Sequence, residues 1–492
     1  MKTKFNPRNF LWIGGLLLIL ATIAVPILLV LPRSVQAEDP WVYMPQDVPH
    51  TEHTSLMKGP YSNGQEVTQA CLECHPDSAD QVMHTTHWTW ESQPFDVPWR
   101  DEPATIGKAN QINNFCIGTQ GNETKCMSCH AGYGWSNEDF DFSNSENVDC
   151  LACHAEAAKY NKGDYGLPTE GTDLVAAAQS VHLPNRENCG KCHFNGGGGN
   201  NVKHGDLDES LYFPQDTQDV HMGELDFVCT DCHQTSDHAI KGRLLADNYT
   251  IDPQEQVACT DCHQGVIHED ERINIHTSSV ACQTCHIPDM ATKNPTKMTW
   301  DWSTAGQDQP EDHYTYLKIK GNFTYEENVE PTYQWFNGDN TYRYLLGDKI
   351  DPAQPTLINH PAGDINDPIA KIFPFKIHVA KQPYDTVFNY LLQPRTGGGG
   401  DGGGGFWETF DWPSALELGA QDTGMEFSGQ YGFAETWMYW PTTHMVQPKE
   451  NALQCDECHS SDGRLDWKAL GYPGDPIEWG GRSLTGTPTS TP

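Results

Sequence analysis

Sixteen of the seventeen cysteines in this 492-residue chain fall into eight copies of one pattern, two cysteines separated by two residues and followed at once by a histidine. In order they are Cys71, Cys74 and His75; Cys126, Cys129 and His130; Cys150, Cys153 and His154; and Cys189, Cys192 and His193. Then come Cys229, Cys232 and His233; Cys259, Cys262 and His263; Cys282, Cys285 and His286; and Cys455, Cys458 and His459. One CxxC could be half a zinc site or a redox pair. Neither would require a histidine after all eight. Covalent haem attachment does: the thiols add across porphyrin vinyl groups, and the adjacent imidazole binds iron from one face. The chain is therefore read as a carrier of eight covalently attached c-type haems. Cys116, ten residues before Cys126, belongs to no motif.

Once the motif histidines are used, eight distal iron positions remain and 14 of the 22 histidines are left to fill them. Histidine supply alone can close every iron with two imidazoles, so counting does not reveal an open site. His84 and His87 in HTTHWTW are three apart and would share a helix face. His221, His276, His378 and His444 lie beside aromatic, apolar or motif residues, and His204 and His238 complete the distal candidates. For each, the competing reading is an ordinary hydrogen-bonded or surface histidine. His50 and His53 are expected to stay unbound. Cys116 is either an inert buried thiol or one that meets a substrate.

Seven motifs lie between residues 71 and 286, mostly about 25 to 40 residues apart, which leaves room for a short helix or two per haem. Residues 287 to 454 hold no motif but many aromatics, among them Tyr314, Tyr316, Tyr333, Trp335 and Phe336. Only 37% of residues are hydrophobic, with 44 Gly and 33 Pro, too few apolar groups for a large conventional core. Eight porphyrins would supply the missing apolar surface. The expected fold is mainly α with much irregular structure, one multihaem cytochrome c body organised around a stacked eight-haem core. Its expected segments are 1–37 as signal peptide or N-terminal membrane anchor, 38–295 carrying seven motifs, and 296–445 as an aromatic cover that supplies ligands. Residues 446–475 carry the eighth motif, and 476–492 form a Ser/Thr/Pro tail. The run Gly397 to Gly405, broken only by Asp401, reads as a flexible loop.

Lys2, Lys4 and Arg8 precede an apolar run over 11–31, and Val35-Gln36-Ala37 resembles a signal-peptidase site. That run is also long enough to span a bilayer. Both readings place the body on the periplasmic or extracytoplasmic side of the membrane, soluble or anchored through 11–31. With 67 acidic against 30 basic residues the formal charge is -37. Nucleic acid is excluded as a partner, since phosphate recognition needs basic patches. The acidic surface suits a basic redox partner protein, and a quinol-linked donor is the other partner class.

The stretches NNFCIGTQGNETKCMSCHAGYGW, DCLACH and NRENCGKCHFNGGGGNNVKHGDLD closely resemble the octahaem tetrathionate reductase family of multihaem c-type cytochromes. HTTHWTW, CQTCHIPDM, YLKIKGNF, FPFKIHVAKQPYD and LQCDECHSSDGRLD fit the same pattern, so the resemblance covers roughly residues 68 to 468. It implies seven bis-histidine haems and one, that of Cys126, Cys129 and His130, whose iron carries a lysine and whose pocket holds a cysteine. By motif these are Lys203 and Cys116, which with His130 are the implied catalytic residues. The family's acidic residue three positions before the lysine is replaced here by Asn200. The resemblance implies multi-electron reduction of a small sulfur or nitrogen oxyanion substrate: tetrathionate, nitrite or hydroxylamine. Lys125, Lys191 and Arg186 are secondary candidates for balancing substrate charge.

A lysine ligand must lose its proton, so such a bond is conditional, and once displaced its ammonium can hold an oxyanion. The competing reading of Lys203 is a surface lysine beside a ligating His204. Two other functions stay open: a pure electron conduit with eight bis-histidine haems, and a hydroxylamine-oxidising type of enzyme. The motif count itself is tested by an absorption spectrum of the reduced protein. Soret and α bands of c-type haem are expected, and their absence would overturn the haem assignment.

Overall fold

Among the described residues the longest regular element is a strand, Lys371–Asp385, in the segment without haem motifs. Its sequence, KIFPFKIHVAKQPYD, is rich in β-branched and aromatic residues, and most of it is buried, as suits a strand covered on both faces. The computed structural model describes residues 16, 18–23, 37, 39–44, 49–97, 100–115, 118–137, 139–242, 256–338, 340–342, 344–397 and 403–482. Cys116, most of the N-terminal segment, residues 398–402 of the glycine-rich loop and the tail from 483 lie outside the described residues. Among the described residues no helix is long and apolar enough to cross a membrane.

Two compact units divide the chain. The smaller joins residues 1–44 to 259–278 and carries the sixth motif. Its described elements include helical residues 16 and 18–23, the 3₁₀ turns Pro40–Tyr43 and Cys259–Asp261 and the helix Glu271–His276. The larger unit, 45–258 with 279–492, carries the other seven motifs.

The larger unit is built on an eight-stranded mixed sheet. Its strands are β1 (Thr296–Asp301), β2 (Tyr316–Leu317), β3 (Gly321–Glu326), β4 (Thr332–Phe336), β5 (Thr356–Leu357), β6 (Lys371–Asp385), β7 (Tyr390–Leu391) and β8 (Tyr431–Pro441). The order is β2-β3-β1-β6-β8-β5, with β4 and β7 also pairing with β6. The β6–β8 ladder is antiparallel and runs unbroken from Phe375 opposite Pro441 to Asp385 opposite Tyr431. Around it packs an aromatic core in which Trp300 stacks on Trp302 at 4.8 Å and Phe406 on Trp412 at 4.0 Å. The expectation of a mainly helical fold is not confirmed: among the described residues 27% are helix and 17% strand. The reason is local. The aromatics of 296–445 sit at strand spacing and satisfy one another in a conventional core.

The motif-bearing region is instead short helices in irregular chain, each launched by a polar cap. Asn63 caps Gly64–Leu72, Asp149 caps Cys150–His154, and Asn185 forms a capping box on Arg186–His193. The sheet anchors this region at two places. Asn114 Nδ2 donates to the carbonyls of His378 (2.7 Å) and Thr436 (3.2 Å), and Gln382 Nε2 donates to the Asn113 carbonyl (2.7 Å). Lys376, buried on β6, donates to the Val202 carbonyl (2.8 Å) and to Thr296 Oγ1 (2.6 Å). At the turn after His204, Gly205 has φ +94° and a Cβ there would lie 2.8 Å from Met290 Sδ, so only glycine fits.

A buried ion pair holds the second motif. Lys162 and Asp149, with side chains 7% and 0% exposed, lie 3.2 Å apart. Lys162 also donates to the carbonyls of His130 and of Gly132, the latter at 2.8 Å. Tyr160 and the Ala152 N–H take other lone pairs of Asp149. Lys162→Met would leave the carboxylate buried without its cation and free two carbonyls. A loss of about 3–5 kcal/mol is expected in denaturant titration of the holoprotein.

Candidate haem centres

One turn of helix assembles each motif. His75, His233, His263 and His459 donate their backbone N–H to the carbonyl of the first cysteine four residues back, at 2.8–2.9 Å. His154, His193 and His286 end the helices Cys150–His154, Arg186–His193 and Cys282–His286 in the same register. That register gathers two thiols and an imidazole on one side of the turn. The second motif differs. Its helix stops at Cys126, a 3₁₀ turn covers Met127–Cys129, and His130 N–H bonds to Met127, only three residues back, at 3.1 Å. Asn122, which precedes that helix, spends its side chain elsewhere. Its Oδ1 accepts from Thr396 N (2.7 Å) and Gly397 N (3.1 Å), pinning the motif to the loop after β7.

Two imidazoles bound through Nε2 on opposite sides of one metal, at about 2 Å each, would hold ring centroids roughly 6 Å apart. Among the described residues, motif histidines meet a second histidine at that spacing in four pairs: His75 with His53 (6.3 Å), His154 with His238 (6.4 Å), His193 with His87 (6.2 Å) and His233 with His444 (6.3 Å). The hydrogen bonds match. His154 Nδ1 bonds to the His182 carbonyl (3.0 Å), His233 Nδ1 to the Lys241 carbonyl (2.8 Å) and His238 Nδ1 to Gln81 Oε1 (2.8 Å). A proton fixed on Nδ1 leaves the Nε2 lone pair for a metal. Desolvation lowers His87, His154 and His233 below the usual imidazole range. Desolvation first, then the charges of His87 and Lys203, pushes His193 down to about 3. Neutral imidazole is the ligating form. These residues fit haem iron.

The motifs also adjoin one another. Thiols of Cys71 and Cys150, of Cys129 and Cys192, and of Cys189 and Cys229 lie within hydrogen-bonding range. The attachment points of the first and third, second and fourth, and fourth and fifth motifs are therefore neighbours.

Other expected ligands fall out differently. His87 faces His193, whereas His84 is exposed and bonds Asp80 O at 2.7 Å on its own helix. Lys108 donates to the Thr86 and Thr89 carbonyls and steadies His87 from both sides. His53, expected to be unbound, faces His75 instead, with His50 beside it at 5.2 Å. A signal was available: HTEH at 50–53 repeats the spacing of HTTH at 84–87, and in both the second histidine meets the motif. His221 lies against Phe227 in the turn Val220–Glu224. His276, in the smaller unit, bonds the Arg272 carbonyl at 2.8 Å. His378 is fully buried on β6. Its Nδ1 is held by Asn114 Oδ1 at 2.9 Å, and its Nε2 has no hydrogen-bond partner.

His130 is the exception among motif histidines. Its ring is caged by Trp88, Trp135, Phe140 and Phe142, and Nε2–H donates to the Trp88 carbonyl at 3.0 Å. Burial lowers it to about 3, and Nδ1 is buried with no partner, the reverse of the arrangement at His154 and His233. Lys203 lies near. Its Nζ is 4.7 Å from the Trp440 ring centre, and its charge acts on Cys129, His193 and His204. His204 packs edge-on against the same Trp440 at 4.9 Å, and burial holds it well below the usual imidazole range. Asn200 Oδ1 accepts the Glu209 N–H at 2.9 Å, so it serves a turn. The secondary candidates have structural partners: Lys125 pairs with Asp164, Lys191 binds the Ala157 and Tyr160 carbonyls, and Arg186 binds Asp226 and the Phe227 carbonyl.

The bacterial cytochrome c family pattern matches residues 297–462, the sheet-bearing part of the chain. The crystal structure of octaheme cytochrome c from Shewanella oneidensis superposes with a TM-score of 0.80 at 46% identity, covering 87% of this chain and 98% of that one. An uncharacterized protein of Archaeoglobus fulgidus is 24% identical over 229 residues, covering 35% of this chain and 74% of that protein.

The histidine pairing has a direct test. His87→Gly should convert one low-spin haem to high spin in the electron paramagnetic resonance (EPR) spectrum of the oxidised holoprotein, while His84→Gly leaves the low-spin count unchanged. The opposite outcome would reassign the distal ligand of the fourth motif.

Proposed function

Because the chain belongs to the octahaem family of multihaem c-type cytochromes, we propose that it is a multi-electron reductase of sulfur or nitrogen oxyanions with its catalytic centre at the second motif. Haem supplies one-electron storage and a metal coordination position. The chain's part is to make one centre unlike the rest. The observation that carries this reading is the second motif itself: a different helical register and a caged His130 whose Nε2–H is held by the Trp88 carbonyl.

Cys126 and Cys129 would hold the porphyrin, and Lys203 is the residue that would close the iron. Protonated, the same side chain would present a positive charge and three N–H donors to an oxyanion. Trp440, over which Lys203 lies, shields that ammonium and favours it by cation–π attraction. Lys376 holds the Val202 and Lys203 carbonyls and so fixes the backbone that carries the amine. Two electrons would cleave the central S–S bond of tetrathionate to two thiosulfates; nitrite or hydroxylamine would require N–O cleavage with added protons. The bis-histidine pairs would carry electrons in from an extracytoplasmic donor, either a basic redox protein or a quinol-linked one.

A second reading, a pure electron conduit, is favoured by the four motif histidines that already face a second imidazole. Lys203→Ala separates the two. The reductase reading expects a change in one EPR species and loss of tetrathionate, nitrite or hydroxylamine reduction from a reduced viologen by about 100-fold or more. An unchanged spectrum with unchanged turnover favours the conduit.

A further inference from the structure

The axial histidines differ in the charge of whatever holds Nδ1. For His154 and His233 the acceptor is a backbone carbonyl, and for His238 it is an amide. His459, the histidine of the eighth motif, instead bonds a carboxylate: its Nδ1 lies 2.7 Å from Asp475 Oδ1. Two features hold that carboxylate in place. Asp475 caps the turn Pro476–Trp479, where the same Oδ1 accepts the Ile477 N–H at 2.9 Å, and Trp467 stacks over the His459 ring at 5.3 Å and 18°. The side chains are only 12% and 21% exposed, so water screens the pair weakly.

A carboxylate draws the Nδ1 proton toward itself more strongly than a neutral carbonyl does. The imidazole becomes a more basic ligand, and a more basic ligand favours the more highly charged, oxidised metal. We infer that Asp475 is a positioning residue that depresses the reduction potential of the eighth-motif haem through its hydrogen bond to His459. The eighth motif is tied to the seventh: Leu453 N–H bonds the Cys285 carbonyl (3.0 Å) and Gln447 N–H the His286 carbonyl (2.9 Å). An electron given to the eighth haem therefore has the seventh motif as its neighbour and a driving force to leave. His444 offers the nearest comparison. Its Nδ1 is 3.5 Å from Asp206 Oδ2, but Thr443 Oγ1 is closer at 3.1 Å, and that carboxylate oxygen already accepts two backbone N–H groups. The Asp475 bond is the shorter and less shared of the two.

The inference requires haem attachment at the eighth motif but not the reductase reading, so the two fail separately. The experiment is an EPR-monitored redox titration of the holoprotein against Asp475→Asn, Asp475→Glu and Glu478→Gln. Asparagine keeps the shape and removes the charge. One of the one-electron components should rise by about 59 mV, a tenfold change in its equilibrium constant, with the g-values of one low-spin species changed. Glu478→Gln removes an exposed charge from the same turn without touching His459 and should move no component. Asp475→Glu, which keeps a carboxylate, should restore most of the shift even if the asparagine variant loads haem poorly. Unchanged potentials in Asp475→Asn, equal shifts in all components, or a Glu478→Gln effect as large would each overturn the assignment.

Discussion

The constraint on which the rest depends is the length of one helical turn. Two cysteines and a histidine in five residues can reach one porphyrin only if the chain between them coils. In seven motifs the histidine stands in the helical register of the first cysteine, four residues on. So short a helix is not stable alone, because nucleation is unfavourable and few hydrogen bonds repay it. Caps at Asn63, Asp149 and Asn185 help, and covalent attachment to a large apolar ring would do the remainder. The irregular chain between motifs follows from this arrangement.

Against that region the sheet acts as a rigid platform. Strand β6 carries His378, Lys376 and Gln382 on residues of equal parity, hence on one face. Those three side chains reach Asn114, the Val202 carbonyl and the Asn113 carbonyl. The chain ahead of Cys126 and the loop carrying Lys203 are thus referred to one strand, although they are far apart along the chain. An apolar core of Trp300, Trp302, Phe406 and Trp412 holds the platform. Buried Lys376, pushed down to about 7 by burial, is tolerated because three oxygens receive its protons.

The second motif shows how one centre in a repeated array can be made different without changing its five-residue pattern. Asn122 is drawn away to Thr396 and Gly397, the helix tightens, and Lys162 clamps the His130 carbonyl against Asp149. Outside the turn itself, these contacts join residues from thirteen to more than two hundred and seventy positions apart. The distinction is tertiary. The same holds for Asp475, whose contact with His459 depends on a turn sixteen residues downstream.

Eight motifs, the excess of histidine over motif number, and the strongly acidic balance are properties of residue identity and spacing, so they were legible in the chain itself. The pairing of motif with distal histidine was not, because any of fourteen imidazoles satisfies the count and only folding brings His53 to His75 or His444 to His233. Even the choice of His87 over His84 turned on which face of one turn met His193. The β-sheet was concealed for a related reason: aromatic residues suit haem edges and strand cores equally, and composition does not say which. What residue types alone determined is the chemistry the chain can hold. What only the tertiary structure decided is which groups meet, since each imidazole's partner is set by contacts distant in sequence.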